Sequence, residues 1–308
     1  MIELQHVTNR CKRVVTLDDV SIAVGEGEVF GCLGPNGAGK TTAIRLLLGL
    51  MEPTSGEALL WGRRASENAD VRRRVGILLE ADGLYSRLSA YTNLDYFARL
   101  YRIPDREARI AQLLEFAGLA DRSRERVGTF SRGMRRKLGL VRALLHSPDL
   151  LVLDEPSAGL DPEAQKMVRD LIITMSSEAQ ITVFLNSHDL DEVQRICGRV
   201  AILRHGRIRA CDTLKALQAS AGNAGVDIVL ADPVQLDQAL HLAQSHPDVT
   251  SVIGVGAMLS LTLRNAHGGA AVAAALEAQG IGVDEMRRAR RSLEEVYLDM
   301  VHEEKPVE

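Results

Sequence analysis

One stretch of the chain carries residue types suited to holding a chain of phosphates: Gly34-Pro35-Asn36-Gly37-Ala38-Gly39-Lys40-Thr41. Its glycines let successive backbone N–H groups turn inward around phosphate oxygens, next to the positive end of a helix that begins near Lys40. Lys40 can reach the β- and γ-phosphates, and the Thr41 hydroxyl can ligate Mg²⁺. The apolar run at 29–33 directly before the stretch predicts a buried strand, as this motif requires. We therefore expect the stretch, together with Thr42, to bind a nucleoside triphosphate and Mg²⁺.

A second candidate is a pair of carboxylates at the end of an apolar run, where residues 150–153 are followed by Asp154 and Glu155. In this position Asp154 can hold Mg²⁺ through water, and Glu155 can polarise the water that attacks a phosphate. An isolated Asp-Glu pair would more simply cap the helix that follows the strand. Taken alone, the pair is therefore open to both interpretations.

Three further segments follow in a fixed order: Phe130-Ser131-Arg132-Gly133-Met134, Ser157-Ala158-Gly159-Leu160-Asp161 and Asn186-Ser187-His188-Asp189. The first opens a helix, so the Ser131 hydroxyl and the free N–H groups can form an anion site, although Ser131 can equally be only the helix cap. The third directly follows a buried strand, but His188 alone is more often an ordinary loop histidine than a functional one. Each segment is ambiguous when it is taken by itself.

Length and composition restrict the class of protein. A chain of 308 residues predicts about two domains, and 46% hydrophobic with 25% charged residues is typical of a globular protein. We find no uninterrupted apolar run near the roughly 18 residues that span a bilayer, and the N-terminus lacks a signal-peptide pattern. The cysteines are scattered, which indicates reduced thiols. These features predict a cytosolic protein.

The formal net charge of −4 is unevenly distributed. Residues 1–217 carry a small excess of basic side chains, whereas residues 218–308 carry a clear excess of acidic ones. Solubility is the simplest explanation of this acidic bias. Because a net acidic chain is not built as a general binder of phosphate backbones, we expect no nucleic-acid partner.

The elements that must position these segments follow from hydrophobic periodicity. Short alternating strands over residues 1–30, with a turn at 25–28, predict an antiparallel edge. Helical spacing of apolar residues predicts helices at 40–50, 105–118 and 133–145. Continuous apolar runs predict strands buried on both faces at 150–153 and 181–185. Strands that alternate with helices imply a parallel α/β sheet, with the nucleotide bound beyond the carboxyl ends of its strands.

Residues 218–308 are expected to form a separate small domain. The composition turns to Ala, Ser, Gly and Asn at 218–225, which indicates a linker. Beyond it, the pattern predicts a strand at 226–230, a helix at 233–244, a hairpin at 249–264 that turns at 254–256, a helix at 270–279, a strand from 281 and a helix at 292–302. This α+β unit carries no recognisable chemistry.

Taken together, in this order and spacing, the motifs resemble those of the ATP-binding cassette (ABC) family across residues 1–217. In the terms of that family they are Walker A at 34–41, the signature at 130–134, Walker B at 150–155, the D-loop at 157–161 and the switch histidine at 188. The resemblance implies a P-loop NTPase nucleotide-binding domain with a parallel core sheet, an antiparallel β subdomain and a helical subdomain. The small α+β domain at 218–308 would follow it as an accessory domain.

The resemblance also implies roles for individual residues. Two cassettes, identical or different, would pair head to tail, so that Ser131 and Gly133 of one serve the γ-phosphate of the ATP that the other binds. Glu155 would be the catalytic carboxylate, and His188 would contact the γ-phosphate. Asp161 would communicate across the dimer.

Three positions depart from the family's commonest pattern. Cys11 falls where an aromatic residue usually stacks on adenine, and a thiol cannot stack in this way, so we expect loose base selectivity. Glu80 replaces the expected metal-contacting glutamine and adds negative charge beside Mg²⁺, which we expect to bind at Thr41, Glu80 and Asp154. Arg132 stands where glycine is common. Since arginine disfavours a positive φ, its backbone should be ordinary, or else strained.

Residues 130–137 and the closing stretch at 292–298 resemble those of single-cassette exporter subunits. The resemblance implies an ATPase subunit of an export transporter, peripheral on the cytoplasmic face of the membrane, with its permease in a separate chain. Residues 83–94 would contact the permease through Leu84, Tyr85 and Leu88; alternatively, these side chains only fill the core beneath a loop. Two other functions stay open: a soluble cassette ATPase acting on ribosomes or DNA, and a degenerate cassette that binds ATP without turnover.

Overall fold

The residues described by the computed structural model are 1–12, 14–220, 224–265, 268–288 and 292–302. The chain divides into two compact units, Met1–Leu214 and Lys215–Glu308. Among the described residues, no helix is both long enough and apolar enough to span a bilayer.

The strands of the first unit form two sheets. In chain order they are β1 (Ile2–Cys11), β2 (Val14–Val24), β3 (Val29–Leu33), β4 (Ser55–Leu60), β5 (Val75–Leu78), β6 (Leu150–Asp154), β7 (Thr182–Ser187), β8 (Arg199–Arg204) and β9 (Arg207–Thr213). An antiparallel sheet has the order β2-β1-β4, and a larger sheet has the order β5-β6-β7-β3-β8-β9. The antiparallel pairing predicted for residues 1–30 is confirmed, but β1 and β2 form a separate sheet with β4 rather than an edge of the larger sheet.

The larger sheet is parallel except at one edge, where β9 pairs with β8 in the antiparallel direction. Every residue of β6 and β7 is buried, which explains why both strands are continuous apolar runs in the sequence. Leu33 pairs with Ser187 and Asp154 pairs with Asn186, so β3, β6 and β7 end at the same edge of the sheet. The predicted parallel core is confirmed, and its register fixes where a site can form.

The helices of the first unit also follow the sequence pattern closely. They are α1 (Lys40–Leu47), α2 (Ala69–Arg73), α3 (Ala90–Leu100), α4 (Arg106–Phe116), α5 (Arg132–Leu144), α6 (Pro162–Ala179) and α7 (Leu190–Ile196), and α8 (Leu214–Ser220) begins at the last residue of the unit. The predicted helices at 105–118 and 133–145 are confirmed within two residues. Helices α3, α4 and α5 pack on one another as a helical subdomain.

The helix predicted at 40–50 is too long by three residues. Helix α1 ends at Leu47, and Gly49 adopts a left-handed φ of 66° two residues later. A Cβ at position 49 would meet the backbone of Ala65 and Ser66, so the chain must turn here around a glycine.

The second unit is an α+β fold with one antiparallel sheet. Its elements are β10 (Ala224–Leu230), α9 (Leu236–Ser245), β11 (Val249–Val255), β12 (Met258–Leu263), α10 (Gly268–Ala278), β13 (Val283–Arg288) and α11 (Leu293–His302). The strand order is β11-β12-β10-β13, which with two helices gives a ferredoxin-like arrangement. Ile228, Leu259, Leu261 and Leu276 form the centre of its core.

Two details predicted for the second unit are wrong. The hairpin turns at Gly256 and Ala257 rather than at 254–256, because Val255 still pairs with Met258 in the strand ladder. The linker predicted at 218–225 is shorter than expected, because α8 extends to Ser220 and β10 begins at Ala224. The intervening positions 221–223 lie outside the described residues.

Deletion of residues 218–308 is expected to leave a folded cassette. The domain boundary at 217 stays a prediction, but the unit Met1–Leu214 contains the whole six-stranded sheet. We expect a cooperative thermal transition and an ATP affinity within about threefold of the full-length value, measured by calorimetry and by titration. A truncated protein without a cooperative transition would show that the boundary cuts through a shared core.

Candidate functional site

The glycine-rich stretch forms the loop between β3 and α1. Gly37 and Gly39 have positive φ angles of 81° and 109°, which L-residues rarely adopt. A Cβ on Gly34 would meet the carbonyl oxygen of Leu203, and one on Gly39 would meet that of Thr16. The backbone path therefore requires glycine at these positions, and the loop leads directly into the positive end of α1.

The loop forms one wall of a pocket of about 440 Å³ at the carboxyl edge of the larger sheet. Most residues predicted to act on nucleotide, metal or water line it: Pro35, Asn36, Gly37, Ala38, Gly39, Lys40, Thr41, Thr42, Glu80, Asp154, Glu155 and His188. The pocket is also lined by Thr16, Arg132, Ala158 and Asn186. The last three lie inside predicted motifs and could have been assigned there. No local motif marks Thr16, which only the fold of β2 brings to the loop.

Lys40 is buried in the loop, with 6% of its surface exposed. Its ammonium donates to the carbonyl oxygen of Gly34 at 2.5 Å and lies 3.7 Å from Glu155 Oε1. A buried ammonium needs such partners because its desolvation is costly. The loop thus holds a fixed positive charge where the phosphate chain is expected.

Asp154 is the buried carboxylate at the end of β6. One oxygen accepts a hydrogen bond from Asn186 Nδ2, and the other accepts one from Thr41 Oγ1 at 3.4 Å. Burial raises the pKa of Asp154, the bond from Asn186 opposes this rise, and the nearby Glu155 charge adds to it. A cation bound in the pocket would relieve this concentration of negative charge.

The residues present fit the hard oxygen chemistry of Mg²⁺. Thr41, Glu80 and Asp154, the predicted metal set, all line the pocket. Asn186 Oδ1 is a buried acceptor without a hydrogen-bond partner, on the side chain that contacts Asp154. The described part of the chain has no group of three His, Cys, Asp or Glu side chains that could hold a metal. Mg²⁺ in proteins usually keeps several waters and binds through one or two carboxylates and substrate phosphates, which the few oxygen ligands of this pocket would allow.

Glu155 follows Asp154 with unusual backbone geometry. Its φ of 50° places a non-glycine residue in the left-handed region, and its N–H donates to the carbonyl oxygen of Asn186 at 2.8 Å. Such a conformation costs about 1–3 kcal/mol and persists only where surrounding contacts hold it. Glu155 Oε2 lies 2.7 Å from His188 Nδ1, within hydrogen-bond distance. The structure thus brings the two predicted catalytic residues together.

A buried arginine connects the loops that follow β5 and β6. Arg136, only 4% exposed, donates to the carbonyl oxygen of Leu79 at 2.8 Å and to that of Glu155 at 3.2 Å. One guanidinium therefore holds the backbone on both sides of the pocket, next to Glu80 and at Glu155. Sequence reasoning did not assign this role, although a basic residue on the buried face of an amphipathic helix is a usable signal.

The structure does not bring Ser131, Gly133 and Asp161 to the pocket of their own chain. Ser131 caps α5, because its Oγ accepts a hydrogen bond from the N–H of Met134 at 3.2 Å. Asp161 caps α6 by accepting one from the N–H of Ala164 at 2.9 Å. Gly133 is buried, and a Cβ there would come 2.9 Å from the Cβ of Ala164. Their predicted roles toward a second cassette stay predictions.

Two of the unusual positions have clear locations. Arg132 is the first residue of α5, so its backbone is helical and ordinary, and its Nη1 donates to the carbonyl oxygen of Gly159 at 3.3 Å. Cys11 ends β1 opposite Val14, is exposed, and is not among the residues that line the pocket. A contact between Cys11 and the nucleotide base therefore stays a prediction.

A glycine-rich loop between β3 and α1 of a parallel sheet, beside an acidic strand end, defines a P-loop nucleotide-binding protein. The sequence pattern of the ABC transporter family matches residues 17–158. The bacitracin transport ATP-binding protein BcrA of Bacillus licheniformis is 43% identical over 194 residues, 63% of this chain and 63% of that protein. The Nod factor export ATP-binding protein I of Burkholderia thailandensis is 38% identical over 243 residues, 78% of this chain and 80% of that protein.

A solved structure of the ATP-binding subunit of an ABC transporter has the same fold. Its TM-score is 0.65 at 30% identity, and the match covers 72% of this chain and 93% of that one. The chain therefore belongs to the ABC transporter family and carries the ATP-binding ATPase domain of that family. The predicted family and P-loop fold are confirmed.

Asp154→Asn is expected to stabilise the nucleotide-free protein at neutral and higher pH. Because the folded-state pKa of Asp154 is raised, the ionised side chain costs folding free energy above that pKa, and the cost disappears as the pH falls through it. Asparagine keeps the shape without the charge. We expect a calorimetric midpoint higher by about 2 °C at pH 8 and a gain that shrinks as the pH is lowered toward the ordinary aspartate pKa of about 4. The exposed Asp170→Asn serves as the control, and a lower midpoint for Asp154→Asn at pH 8 would contradict the expectation.

Lys40→Ala is expected to weaken nucleotide binding itself. The variant removes the fixed positive charge of the loop, and charge-assisted bonds of about 1.5–3 kcal/mol correspond to a loss of roughly tenfold or more in ATP affinity. Direct titration with excess Mg²⁺ measures the loss, and the exposed Lys166→Ala on α6 provides a charge-matched control. Equal ATP affinity in the two variants would rule out the assignment of the phosphate loop.

Proposed function

We propose that this protein is the ATP-hydrolysing subunit of an export transporter whose membrane-spanning permease is a separate chain. The main support for ATP hydrolysis is that one pocket is lined by the phosphate-loop lysine, the two carboxylates and the histidine: Lys40, Asp154, Glu155 and His188. The transport part is supported by the relatives named for bacitracin transport and Nod factor export.

The residues of the pocket fit hydrolysis of ATP at its γ-phosphate. The backbone of the loop and Lys40 bind the phosphates, and Thr41, Asp154 and Glu80 would hold Mg²⁺, which would neutralise charge on the phosphate oxygens. Glu155 accepts a proton from the attacking water as the water oxygen bonds to phosphorus and the bond to ADP breaks. His188 Nδ1 lies 2.7 Å from Glu155 Oε2 and so fixes the direction of that carboxylate, and His188 also lines the pocket in which the γ-phosphate is expected.

A second cassette, identical or different, completes the site in this proposal. Ser131 and Asp161 are exposed and lie outside the pocket of their own chain. The free N–H groups at the start of α5 add a partial positive charge beside Ser131. An opposing cassette would place its bound ATP against this surface, so that ATP closes the pair and hydrolysis reopens it.

The contact with the permease is proposed at residues 83–94. Tyr85 and Leu88 are 48% and 37% exposed, and the Tyr85 ring packs edge-on against Tyr96, itself 49% exposed, at 5.6 Å. Exposed aromatic rings held in place by one another suit docking of an apolar partner segment better than filling a core. This docking would keep the protein on the cytoplasmic face of the membrane.

The two other functions have less support. A degenerate cassette would not need Glu155 in a strained backbone conformation with His188 in hydrogen-bond distance. A soluble cassette acting on ribosomes or DNA would be expected to carry a second cassette or a coiled-coil insertion, and the longest helix of the described residues is α6 with 18 residues.

Glu155→Gln is expected to abolish hydrolysis while it permits ATP-dependent dimerisation. The amide keeps the size of the side chain but cannot accept the proton of the attacking water, so we expect a loss of about 10²–10⁴-fold in kcat. Phosphate release measures turnover, and light scattering with and without ATP measures dimerisation. The exposed Glu178→Gln is the matched control. Near-normal turnover of Glu155→Gln would remove Glu155 from its proposed role.

A further inference from the structure

A buried carboxylate on α7 has no part in the mechanism above. Glu192 is only 4% exposed and is not among the residues that line the pocket. Its Oε1 accepts a hydrogen bond from Ser157 Oγ at 2.5 Å, and its Oε2 accepts one from Ser187 Oγ at 2.6 Å. Both carboxylate oxygens are therefore used, one for each serine.

The two serines belong to different functional segments. Ser157 begins the stretch 157–161, two residues after Glu155, whereas Ser187 ends β7 and directly precedes His188. Both are buried, at 4% and 0% exposure. Glu192 thus bridges the segments that carry the two catalytic residues.

The position of Glu192 is itself fixed by its helix. Asp189 caps α7 by accepting a hydrogen bond from the N–H of Glu192 at 3.1 Å, and the N–H of Asp189 donates to Ser187 Oγ at 3.1 Å. Ser187 Oγ therefore accepts from the backbone and donates to Glu192. This closed set of bonds leaves the carboxylate little freedom to move independently of the two segments.

Burial of the Glu192 carboxylate costs folding free energy, because the charged group loses its hydration. Burial raises the pKa of Glu192, and the hydrogen bonds from Ser157 and Ser187 oppose that rise. An apolar side chain would fill the same volume without the cost of desolvation, but it would leave two buried hydroxyls without their acceptor.

We propose that Glu192 is a positioning residue for ATP hydrolysis, which fixes the stretch 157–161 and His188 relative to each other and so keeps His188 paired with Glu155. The inference rests on the proposed function, since it concerns the same reaction. If a second cassette displaces the stretch 157–161, the Glu192 side chain would pass that displacement on to Ser187 and the adjacent His188.

Glu192→Gln tests the proposal directly. The amide has one acceptor oxygen, so only one of the two serine hydroxyls keeps its acceptor, while size and shape are kept. We expect kcat to fall about tenfold, with the KM for ATP and the directly titrated ATP affinity unchanged within about twofold. Ser157→Ala should lower kcat in the same way, and Ser157→Ala combined with Glu192→Gln should be no slower than Glu192→Gln alone.

Val193→Ala is the matched structural control. Val193 is fully buried on the same helix, and its truncation leaves a cavity without touching the carboxylate. The proposal is supported if Val193→Ala lowers the thermal midpoint at least as much as Glu192→Gln does and still keeps the wild-type kcat. The proposal would be overturned if both variants lost the same amount of kcat and the same amount of thermal midpoint. It would also be overturned if Glu192→Gln kept the wild-type kcat.

A second measurement separates this proposal from the proposed function. The NMR signals of the His188 ring, assigned by their loss in His188→Asn, report the position of the histidine in nucleotide-free protein. They should move in Glu192→Gln and Ser157→Ala but not in Val193→Ala, even if the wild-type protein showed no turnover. Unmoved His188 signals in Glu192→Gln would overturn the positioning role, whereas absent wild-type turnover would contradict only the proposed function.

Discussion

The register of three neighbouring parallel strands is the constraint on which the site depends. β7 pairs with β3 on one side and with β6 on the other, so that Leu33, Asp154 and Ser187 reach the same edge. The glycine-rich loop, the acidic pair and His188 each follow one of these strands. Because side chains alternate along a strand, a slip of β6 by one residue would turn Asp154 to the opposite face and displace Glu155, which follows it. The chemistry is therefore placed by strands that are largely apolar and carry its polar residues Asp154, Asn186 and Ser187 only at their carboxyl ends.

The same edge concentrates buried charge, and hydrogen bonds rather than solvent stabilise it. Lys40, Asp154, Arg136 and Glu192 are each at most 6% exposed, and each has a specific partner. Unpaired, any of them would be costly in this environment. The partners are mostly backbone carbonyls and short polar side chains from neighbouring loops. Fixing the charges therefore also fixes the loops, and Glu155 keeps its left-handed backbone within this network.

Sequence alone predicted the parts of the site that have local signatures. The octapeptide at 34–41 needs its glycines for the backbone path, and β6 and β7 are continuous apolar runs because both of their faces are buried. Thr16 and Glu192 carry no such signature, because their roles arise from contacts between segments distant in sequence. The early end of α1 likewise depends on how closely Gly49 approaches residues 65 and 66, which periodicity cannot report. The sequence therefore predicted the local motifs but not the contacts between residues that are distant in the chain.

The surface around Ser131, Gly133 and Asp161 is held together by several contacts. Gly133 packs against Ala164 so closely that no Cβ would fit, and Asp161 caps the helix in which Ala164 lies. Arg132 extends from the start of α5 to the carbonyl oxygen of Gly159. The starts of α5 and α6 and the stretch 157–161 are thus joined by packing, a cap and a side-chain bond. The start of α5 is therefore connected, through contacts within a single chain, to the segment that leads back to Glu155.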